Sequence, residues 1–330
     1  MSEKTIRQEI RNLRKRIRAA DIPKRGRNYL HLLTWNIRNL NEKKEQKAIR
    51  YIAQICKNFD LIAIQEVKDN LEGLENLQRT LGKKYRFLFS DPSGNGERLV
   101  FCYDSNNIQF TGLAAEVVMA PGAGRGKIKP ELEFDRTPYM ASFRKNGCNF
   151  IVVTVHIFYG SSSAVQYRLE EIRNIAKYLK KRSSDVDVLD SDFIACGDFN
   201  IEDTKRVMAT KQKARTKSAK KQILEKLFDA LISGKLIVPT QIRDSPSNLT
   251  RTKHFDQIGF HKYKDSTLKF MTGGIIDFVG AVYINDPKLK YKLTDHLPMW
   301  AVFSVSKDKN PKYLNPFLMC TSKSKRKKRK

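Results

Sequence analysis

The stretch that decides the fold is Ile-Ala-Cys-Gly-Asp-Phe-Asn, residues 194–200. An apolar run leads into a glycine, and a carboxylate and a carboxamide follow the glycine, two positions apart from each other. Because side chains two apart on an extended backbone share a face, we expect Asp198 and Asn200 to point the same way from a strand end. The same pattern is also ordinary turn chemistry, so it gains weight only if other strand ends carry similar residues.

The charge of the chain is strongly positive and unevenly distributed. Of 330 residues, 40% are apolar, which is enough for a substantial core, and the formal net charge is +28. Residues 1–28 hold ten Lys/Arg against three acids, residues 205–221 hold eight against none, and residues 321–330 hold seven against none. This distribution favours sequence-independent attraction to nucleic acid. Solvated charge runs are the second interpretation, and an anionic membrane surface is the third.

Cysteine usage and the absence of long apolar runs predict an intracellular protein. The five cysteines include no Cys-x-x-Cys pair, and four of them fall in apolar runs, as expected of free thiols in a reducing compartment. The first twenty residues lack the apolar segment of a signal peptide, and no stretch reaches the roughly 18 apolar residues of a membrane span. We therefore expect no stable membrane insertion and a cytoplasmic location, or a nuclear one in a eukaryote through the basic run at 325–330.

Three parts of the chain differ in pattern. Residues 1–28 form a basic extension in which Ile6, Ile10, Leu13 and Ile17 recur at helical spacing. Docking of this helix on the body, self-association and contact with nucleic acid are all compatible with the pattern. Residues 29–306 form the body, with a basic insertion at about 205–221, and residues 307–330 form a basic tail.

Within the body, short apolar strands and amphipathic helices are mixed without strict alternation. Helices are predicted at 42–57, 71–81, 164–181 and 222–232, and a Gly/Pro-rich loop is predicted at 121–130. Strands are predicted at 31–37, 60–67, 86–89, 98–103, 113–119, 139–144, 149–157, 192–199, 255–260, 275–283 and 299–305. This mixture favours an α+β fold in which two mixed sheets pack face to face and helices cover the outside.

Polar residues end or interrupt most of these strands. They are Asn36, Arg38, Glu66, Glu97, Arg136, His156, Asp198, Asn200, Asp256, Asp295 and His296. One such residue is unremarkable, but many acids together with two histidines indicate a site where strand ends converge on one rim. The other histidines, His31, His254 and His261, are interpreted as surface or structural residues.

Six short blocks, in this order, resemble the signature blocks of the endonuclease/exonuclease/phosphatase superfamily. They are Trp-Asn-Ile-Arg (35–38), Ile-Gln-Glu-Val (64–67), Val-His (155–156), Gly-Asp-Phe-Asn (197–200), Phe-Asp-Gln-Ile (255–258) and Thr-Asp-His-Leu-Pro (294–298). The resemblance spans about residues 31–305 and implies a four-layer α/β/β/α sandwich with divalent-metal-dependent phosphoester hydrolysis. Gly-Glu-Arg-Leu-Val-Phe (96–101) and His156 are most similar to the deoxyribonuclease I-like branch, since abasic-site endonucleases usually carry tyrosine at the latter position.

The resemblance also implies roles for individual residues. Glu66 and Asp295 would bind Mg²⁺, with Mn²⁺ or Ca²⁺ as alternatives, and Asn36 would assist them, because hard oxygen ligands suit these cations. Catalysis would depend on two His/carboxylate pairs and a water-orienting group, namely His156 with Glu97, His296 with Asp256, and Asp198 with Asn200. Phosphate or nucleic-acid contacts would come from Arg38, Lys68, Arg136 and Asn200.

The sequence therefore predicts a metal-dependent nuclease that hydrolyses DNA phosphodiester bonds, internally in the chain, to leave 5′-phosphate ends. RNA is the second substrate class. An inositol phosphate or phosphoinositide ranks lower, because the block at 255–258 lacks the tryptophan-cysteine-aspartate-arginine run of inositol 5-phosphatases. A non-catalytic scaffold that binds nucleic acid ranks lowest, since no metal or histidine position is missing.

Overall fold

The computed structural model describes residues 3–118, 134–160, 164–183, 192–202, 226–261 and 266–308, and the backbone at 122–124 and 127–129. The predicted basic insertion and residues 309–330 of the predicted tail lie outside these residues. The α-helices in the described segments are α1 (Glu3–Ala19), α2 (Gln46–Cys56), α3 (Glu72–Leu81), α4 (Val165–Ser183), α5 (Leu227–Ser233) and α6 (Thr240–Arg243), and a 3-10 helix covers Pro287–Lys292. None of these helices is long and apolar enough to cross a membrane.

The described strands form two mixed sheets and one small hairpin. Their bounds are β1 (Tyr29–Leu40), β2 (Leu61–Lys68), β3 (Tyr85–Phe89), β4 (Glu97–Asp104), β5 (Gln109–Glu116), β6 (Gly122–Gly124), β7 (Lys127–Lys129), β8 (Tyr139–Lys145), β9 (Cys148–His156), β10 (Phe193–Asp198), β11 (Asp256–Phe260), β12 (Leu268–Ile275) and β13 (Met299–Val305). Sheet A has the order β12-β13-β1-β2-β4-β3, and sheet B has the order β11-β10-β9-β8-β5. β1 pairs parallel with β2, and β9 pairs parallel with β10.

The two sheets pack face to face over an apolar core. Leu32 and Phe101 of sheet A meet Phe143, Val152 and Ile194 of sheet B in this core. Alternate residues of a strand point to opposite faces of the sheet. Every second residue of each central strand therefore faces the other sheet, and the residues between them face a helical layer.

Helices cover the outer face of each sheet. On sheet A, Leu33 and Trp35 of β1 pack in a cluster with Ile52 of α2 and Leu77 of α3. On sheet B, apolar residues of β9 and β10 pack with Ile172 of α4 and other residues of α4 and α5. The predicted α+β sandwich of two mixed sheets with outer helices is confirmed.

The N-terminal helix docks on the body. Leu13 and Ile17 of α1 are buried in the apolar cluster that also contains α2. Glu9 is buried as well, and it accepts hydrogen bonds from the hydroxyl of Tyr51 and the backbone N–H of Ile284. Of the three interpretations of this helix, the described contacts therefore favour docking on the body.

The structure corrects two local predictions. The sequence predicts a strand at 275–283, but β12 ends at Ile275 and the chain then turns. Phe278 and Tyr283 are buried there in the cluster beneath the outer helices, so burial without regular structure explains the apolar pattern. The loop predicted at 121–130 contains the β6–β7 hairpin in its described backbone.

Candidate active site

Polar side chains from both sheets meet at one rim of the sandwich. The parallel pairing of β1 with β2 brings Asn36 and Glu66 to the same end of sheet A, and Asn36 Nδ2 donates to Glu66 Oε1 at 2.9 Å. In sheet B, the register pairs Asp198 with His156 on one side and with Asp256 on the other. Asn36 Nδ2 also donates to Asp198 Oδ2 at 3.1 Å. The carboxamide of Asn36 therefore joins the two sheets at this rim.

Both candidate catalytic histidines converge on one carboxylate oxygen. Asp198 Oδ2 lies 3.5 Å from His156 Nε2 and 3.6 Å from His296 Nε2. The other oxygen, Oδ1, accepts the backbone N–H of Asn200 at 2.9 Å. Asn200 Nδ2 donates to the carbonyl of Ile157 at 2.6 Å, which commits one of the two amide hydrogens that were predicted to contact phosphate.

The His156 imidazole is paired with a carboxylate that is itself surrounded by cations. His156 Nδ1 lies 3.1 Å from Glu97 Oε2. Arg136 Nε donates to Glu97 Oε2 at 2.7 Å, and Lys68 Nζ donates to Oε1 at 3.1 Å. Burial alone would raise the pKa of Glu97, but His156, Arg136 and Lys68 outweigh burial and lower this pKa to about 2. Glu97 is therefore an anion that can hold the imidazole in one orientation.

The second imidazole is held by a second carboxylate. His296 Nδ1 lies 2.7 Å from Asp256 Oδ2, and both side chains are buried. Burial opposes a charge on His296, but the negative charges of Asp256 and Asp198 outweigh burial and raise the pKa of this imidazole to about 10. Thr294 Oγ1 fixes the backbone here, since it accepts the N–H of His296 at 3.0 Å and donates to the carbonyl of Asn36 at 2.6 Å.

The residues predicted to bind metal have the chemistry that Mg²⁺ requires. Asp295 Oδ1 is buried without a hydrogen-bond partner among the described residues, so it has an unused acceptor. Glu66 accepts from Asn36 through Oε1 and from the backbone N–H of Asn39 through Oε2, at 2.9 and 3.0 Å. No group of three or more His, Cys, Asp or Glu in the described segments has metal-binding geometry. Mg²⁺ does not need such a group, because one or two carboxylates, waters and substrate oxygens complete its shell.

Several residues at the rim adopt a left-handed backbone conformation. The φ angles are +47° at Arg38, +60° at Glu66 and +52° at Asn200. For residues other than glycine such angles are uncommon, and they cluster where the surrounding structure enforces them. The strand ends are therefore bent so that side chains of neighbouring strands meet.

The predicted phosphate-binding cations are not equally free. Lys68 and Arg136 both bind Glu97, and Arg136 also lies 3.0 Å from Asp135. Arg38 Nη1 donates to the carbonyl of Tyr291 at 3.3 Å, and this side chain is half-buried. In this arrangement, Lys68 and Arg136 neutralise Glu97, and Arg38 lies at the edge of the rim.

Sequence reasoning missed three residues that hold the loops of the site. Arg168 of α4 donates through Nη1 to the carbonyl of Asn200 at 3.0 Å. Glu171, one helical turn further on, accepts the N–H groups of Asp135 and Phe158 at 2.6 and 2.8 Å. Lys44 donates to the carbonyls of Ile37 and Arg38 at 2.8 and 2.7 Å, and burial lowers its pKa to about 8. A charged residue inside an apolar helical face was the available signal for Arg168 and Glu171.

Of the three histidines interpreted as surface or structural residues, His31 and His261 are buried. His31 is fully buried, and its Nε2 lies 2.8 Å from the carbonyl of Pro23. His261 is buried next to β11, with its backbone N–H bonded to the carbonyl of Phe193. His254 is half-buried.

A curated relative and several solved structures are similar to this chain. A protein named deoxyribonuclease from Thioalkalivibrio sp. (strain K90mix) is 28% identical over 294 residues, which cover 83% of this chain and 71% of that protein. Among solved structures, mannosyl-6-phosphatase Bt3783 of Bacteroides thetaiotaomicron is 15% identical with a TM-score of 0.57, covering 83% of this chain and 99% of that one. The human Nocturnin catalytic domain with bound sulfate is 15% identical with a TM-score of 0.56, covering 85% and 96%. D. rerio TDP2 complexed with single-strand DNA product is 14% identical with a TM-score of 0.57, covering 84% and 99%.

At these identities the solved structures establish the fold and nothing finer. A sequence model of the endonuclease/exonuclease/phosphatase family matches residues 33–254, which include most of the strands that carry the rim. The resemblance of the six blocks is thereby confirmed at the level of the family. The chain belongs to the endonuclease/exonuclease/phosphatase family, whose members are hydrolases that act on phosphoester bonds.

Proposed function

We propose that the protein is a divalent-metal-dependent nuclease that hydrolyses phosphodiester bonds of DNA. The observation that supports this most directly is the position of the two imidazoles, whose Nε2 atoms lie 3.5 and 3.6 Å from the same oxygen of Asp198. Each imidazole has its own carboxylate, Glu97 for His156 and Asp256 for His296. Hydrolysis of a phosphodiester requires one proton acceptor and one proton donor near one phosphorus, and this pair supplies both.

In the proposed reaction, each residue of the rim has a separate role. Asp198 orients the attacking water, and one imidazole takes the proton of that water as its oxygen bonds to phosphorus. The bond from phosphorus to the 3′-oxygen breaks, and the other imidazole gives a proton to that oxygen, which leaves a 5′-phosphate. Asp256 holds His296 by a hydrogen bond at Nδ1, and the Glu97 carboxylate lies 3.1 Å from Nδ1 of His156, so that Nε2 of each imidazole faces Asp198.

Glu66 and Asp295 would hold the divalent metal, and Asn36 would orient Glu66 through its hydrogen bond. The unpartnered Oδ1 of Asp295 fits this role. A bound Mg²⁺ would neutralise charge on the scissile phosphate, which the acidic rim alone would repel. The cation would therefore be needed for the reaction.

DNA is favoured over RNA by the name of the 28% identical relative, a deoxyribonuclease. The basic segments of the chain fit any polynucleotide, because attraction to phosphates is independent of sequence and of the sugar. RNA therefore remains the second substrate class, and the experiment must include it.

The proposal is tested with end-labelled DNA and RNA of one sequence and with a supercoiled plasmid. The purified chain should cut DNA in the presence of Mg²⁺ or Mn²⁺, nick the plasmid, and leave 5′-phosphate ends, and a chelator should abolish all three. Loss of cutting in Asp198→Asn excludes a contaminating nuclease. Cleavage of RNA alone would replace DNA with RNA in the proposal, and no cleavage of either polymer would refute it.

A further inference from the structure

Tyr159 places a half-exposed aromatic ring beside the proposed active site. It follows His156 by three residues, and 45% of its surface is exposed. Its ring contacts Phe255 at near right angles, with the ring centroids 5.8 Å apart. The Phe255 ring in turn lies 5.4 Å from the imidazole of His296, at an interplanar angle of 34°. The three rings form a row that leads from the surface to the proposed catalytic histidine.

Arg168 holds this exposed ring in place. The buried guanidinium lies over the Tyr159 ring at 4.3 Å from its centroid, and its Nη2 donates to the Tyr159 carbonyl at 2.5 Å. The tyrosine hydroxyl donates to Glu202 Oε1 at 3.4 Å. Both the backbone and the ring of an exposed residue are thus fixed before any ligand arrives. A rigid exposed aromatic ring loses little freedom on binding, which is a property of recognition surfaces.

The chemistry of the substrate suggests what this ring contacts. Nucleobases are flat and stack on aromatic side chains whatever their identity. A base inside a duplex is already stacked on its neighbours, so only an unpaired or extruded base has a free face. The ring row ends at His296, so such a base would lie close to the phosphate that is cut.

We propose that Tyr159 stacks on an unpaired nucleobase next to the scissile phosphodiester. This inference rests on the proposed nuclease function and adds the form of its substrate, which is single-stranded or frayed DNA in preference to intact duplex. Arg168 is the residue that fixes the stacking surface, and Phe255 couples the stacked base to the position of the His296 ring.

The test measures binding without cleavage. In EDTA, the full chain is titrated with two fluorescent single strands of about 12 nucleotides, one of thymidine and one of abasic tetrahydrofuran units with the same phosphates. The wild type should bind the thymidine strand roughly 5- to 150-fold more tightly than the abasic strand. Tyr159→Ala should remove this preference by weakening thymidine binding alone. Tyr159→Phe should retain the preference, because the ring remains.

Tyr167 supplies a matched control. It lies on α4, next to Arg168, and is 55% exposed. Tyr167→Ala should bind both strands as the wild type does. Melting temperatures of all variants are recorded, and Tyr159→Leu, which keeps an apolar side chain but removes the ring, replaces Tyr159→Ala if that variant unfolds.

Three results would overturn the inference: equal affinity of the wild type for both strands, an equal loss for both strands in Tyr159→Ala, or a loss in Tyr159→Phe as large as in Tyr159→Ala. Because no bond is cut in this assay, its result is separate from that of the nuclease assay. A chain that shows the preference yet cuts no nucleic acid with Mg²⁺ or Mn²⁺ would contradict the proposed function and leave the stacking contact intact.

Discussion

At the scale of single residues, the charge state of each imidazole is set by the carboxylates around it. His296 contacts Asp256 on one side and faces Asp198 on the other, and together they keep a buried imidazole protonated far above its usual range. Replacing one of these carboxylates with an amide of the same shape removes the charge that orients and protonates the ring. Such a change tests the function of the pair while the packing around it is kept.

Asp256→Asn tests this pairing. The change keeps the shape of the side chain but removes the charge that orients His296, so we expect kcat to fall by about 10² to 10⁴-fold. Initial rates on a DNA strand in Mg²⁺ measure the effect. Asp244→Asn is the control, because this exposed carboxylate is not part of the proposed site and pairs with the neighbouring Arg243. Equal rates in wild type and Asp256→Asn would show that the pair is structural.

His261 predicts how the fold responds to acid. Burial, with a smaller effect of Lys235, lowers the pKa of this imidazole from 6.5 to about 4. The folded state therefore favours neutral His261. The contribution of this imidazole to the free energy of unfolding is fully present above pH 6.5 and is lost as the pH falls towards 4. At pH 5 the loss is about 2 kcal/mol. Urea unfolding of His261→Gln should show a smaller loss between pH 7 and pH 5 than the wild type, and equal losses would contradict the assignment.

The sequence indicated the residues of the site because each of them interrupts an apolar run. Asp198, His156 and His296 are visible in this way, and the structure brings them together. The cationic partners of Glu97 were not visible, since nothing in a sequence shows that Lys68 and Arg136 turn towards one carboxylate. Such contacts depend on rotamers and on the spacing of strands that are far apart in the chain.

At the scale of the elements, α4 fixes the loops of sheet B. Arg168 and Glu171 point from the helix into the rim and bind the backbone at Asn200, Phe158 and Asp135. Both side chains are buried. A helix that covers the sheet thus also sets the position of the loops that follow β9 and β10.

Arg168→Gln should destabilise the protein by roughly 3–5 kcal/mol, because the change removes a buried charge that donates to the carbonyls of Asn200 and Tyr159 and pairs with Glu202. Arg168→Lys keeps the charge but not the planar fork of donors, so it should recover only part of the loss. Urea unfolding gives the free energies. Arg173→Gln, an exposed arginine of the same helix, serves as the control and should have little effect. A similar small effect of Arg168→Gln would show that its hydrogen bonds are dispensable.

The N-terminal helix is expected to belong to the folded body. Leu13 is fully buried in the cluster that contains α2, so Leu13→Ala should cost about 2–5 kcal/mol in the free energy of unfolding. Lys15→Ala changes an exposed residue of the same helix and controls for helix propensity. Denaturant unfolding followed by tryptophan fluorescence measures both variants. If Leu13→Ala were neutral, the helix would contribute nothing to the stability of the body.

Elements were predictable where periodicity was strong. The predicted helices at 42–57 and 164–181 correspond to α2 and α4, and the buried strands at the centre of each sheet were also identified. The strand expected at 275–283 was wrong because its apolar residues are buried in a turn that packs beneath α1 and α2. Apolar composition reports burial, and it cannot distinguish an irregular buried segment from a strand.

At the scale of the whole molecule, the proposed active site belongs to neither sheet alone. Asn36 and Glu66 come from sheet A, His156 and Asp198 come from sheet B, and His296 precedes β13. The order of strands in the sheets and the packing of one sheet on the other determine these distances, and no local pattern in the sequence encodes them. The six blocks predicted the arrangement only through their resemblance to a family whose fold is known.

The rates of three variants on one DNA substrate test the central claim, that two imidazoles from different parts of the fold act on one phosphate. We predict that His156→Ala and His296→Ala each lower kcat by about 10² to 10⁴-fold, and that the double variant is little slower than the slower single variant, because groups that act as a unit are not additive. Full activity in either single variant, or independent losses that multiply in the double variant, would contradict it.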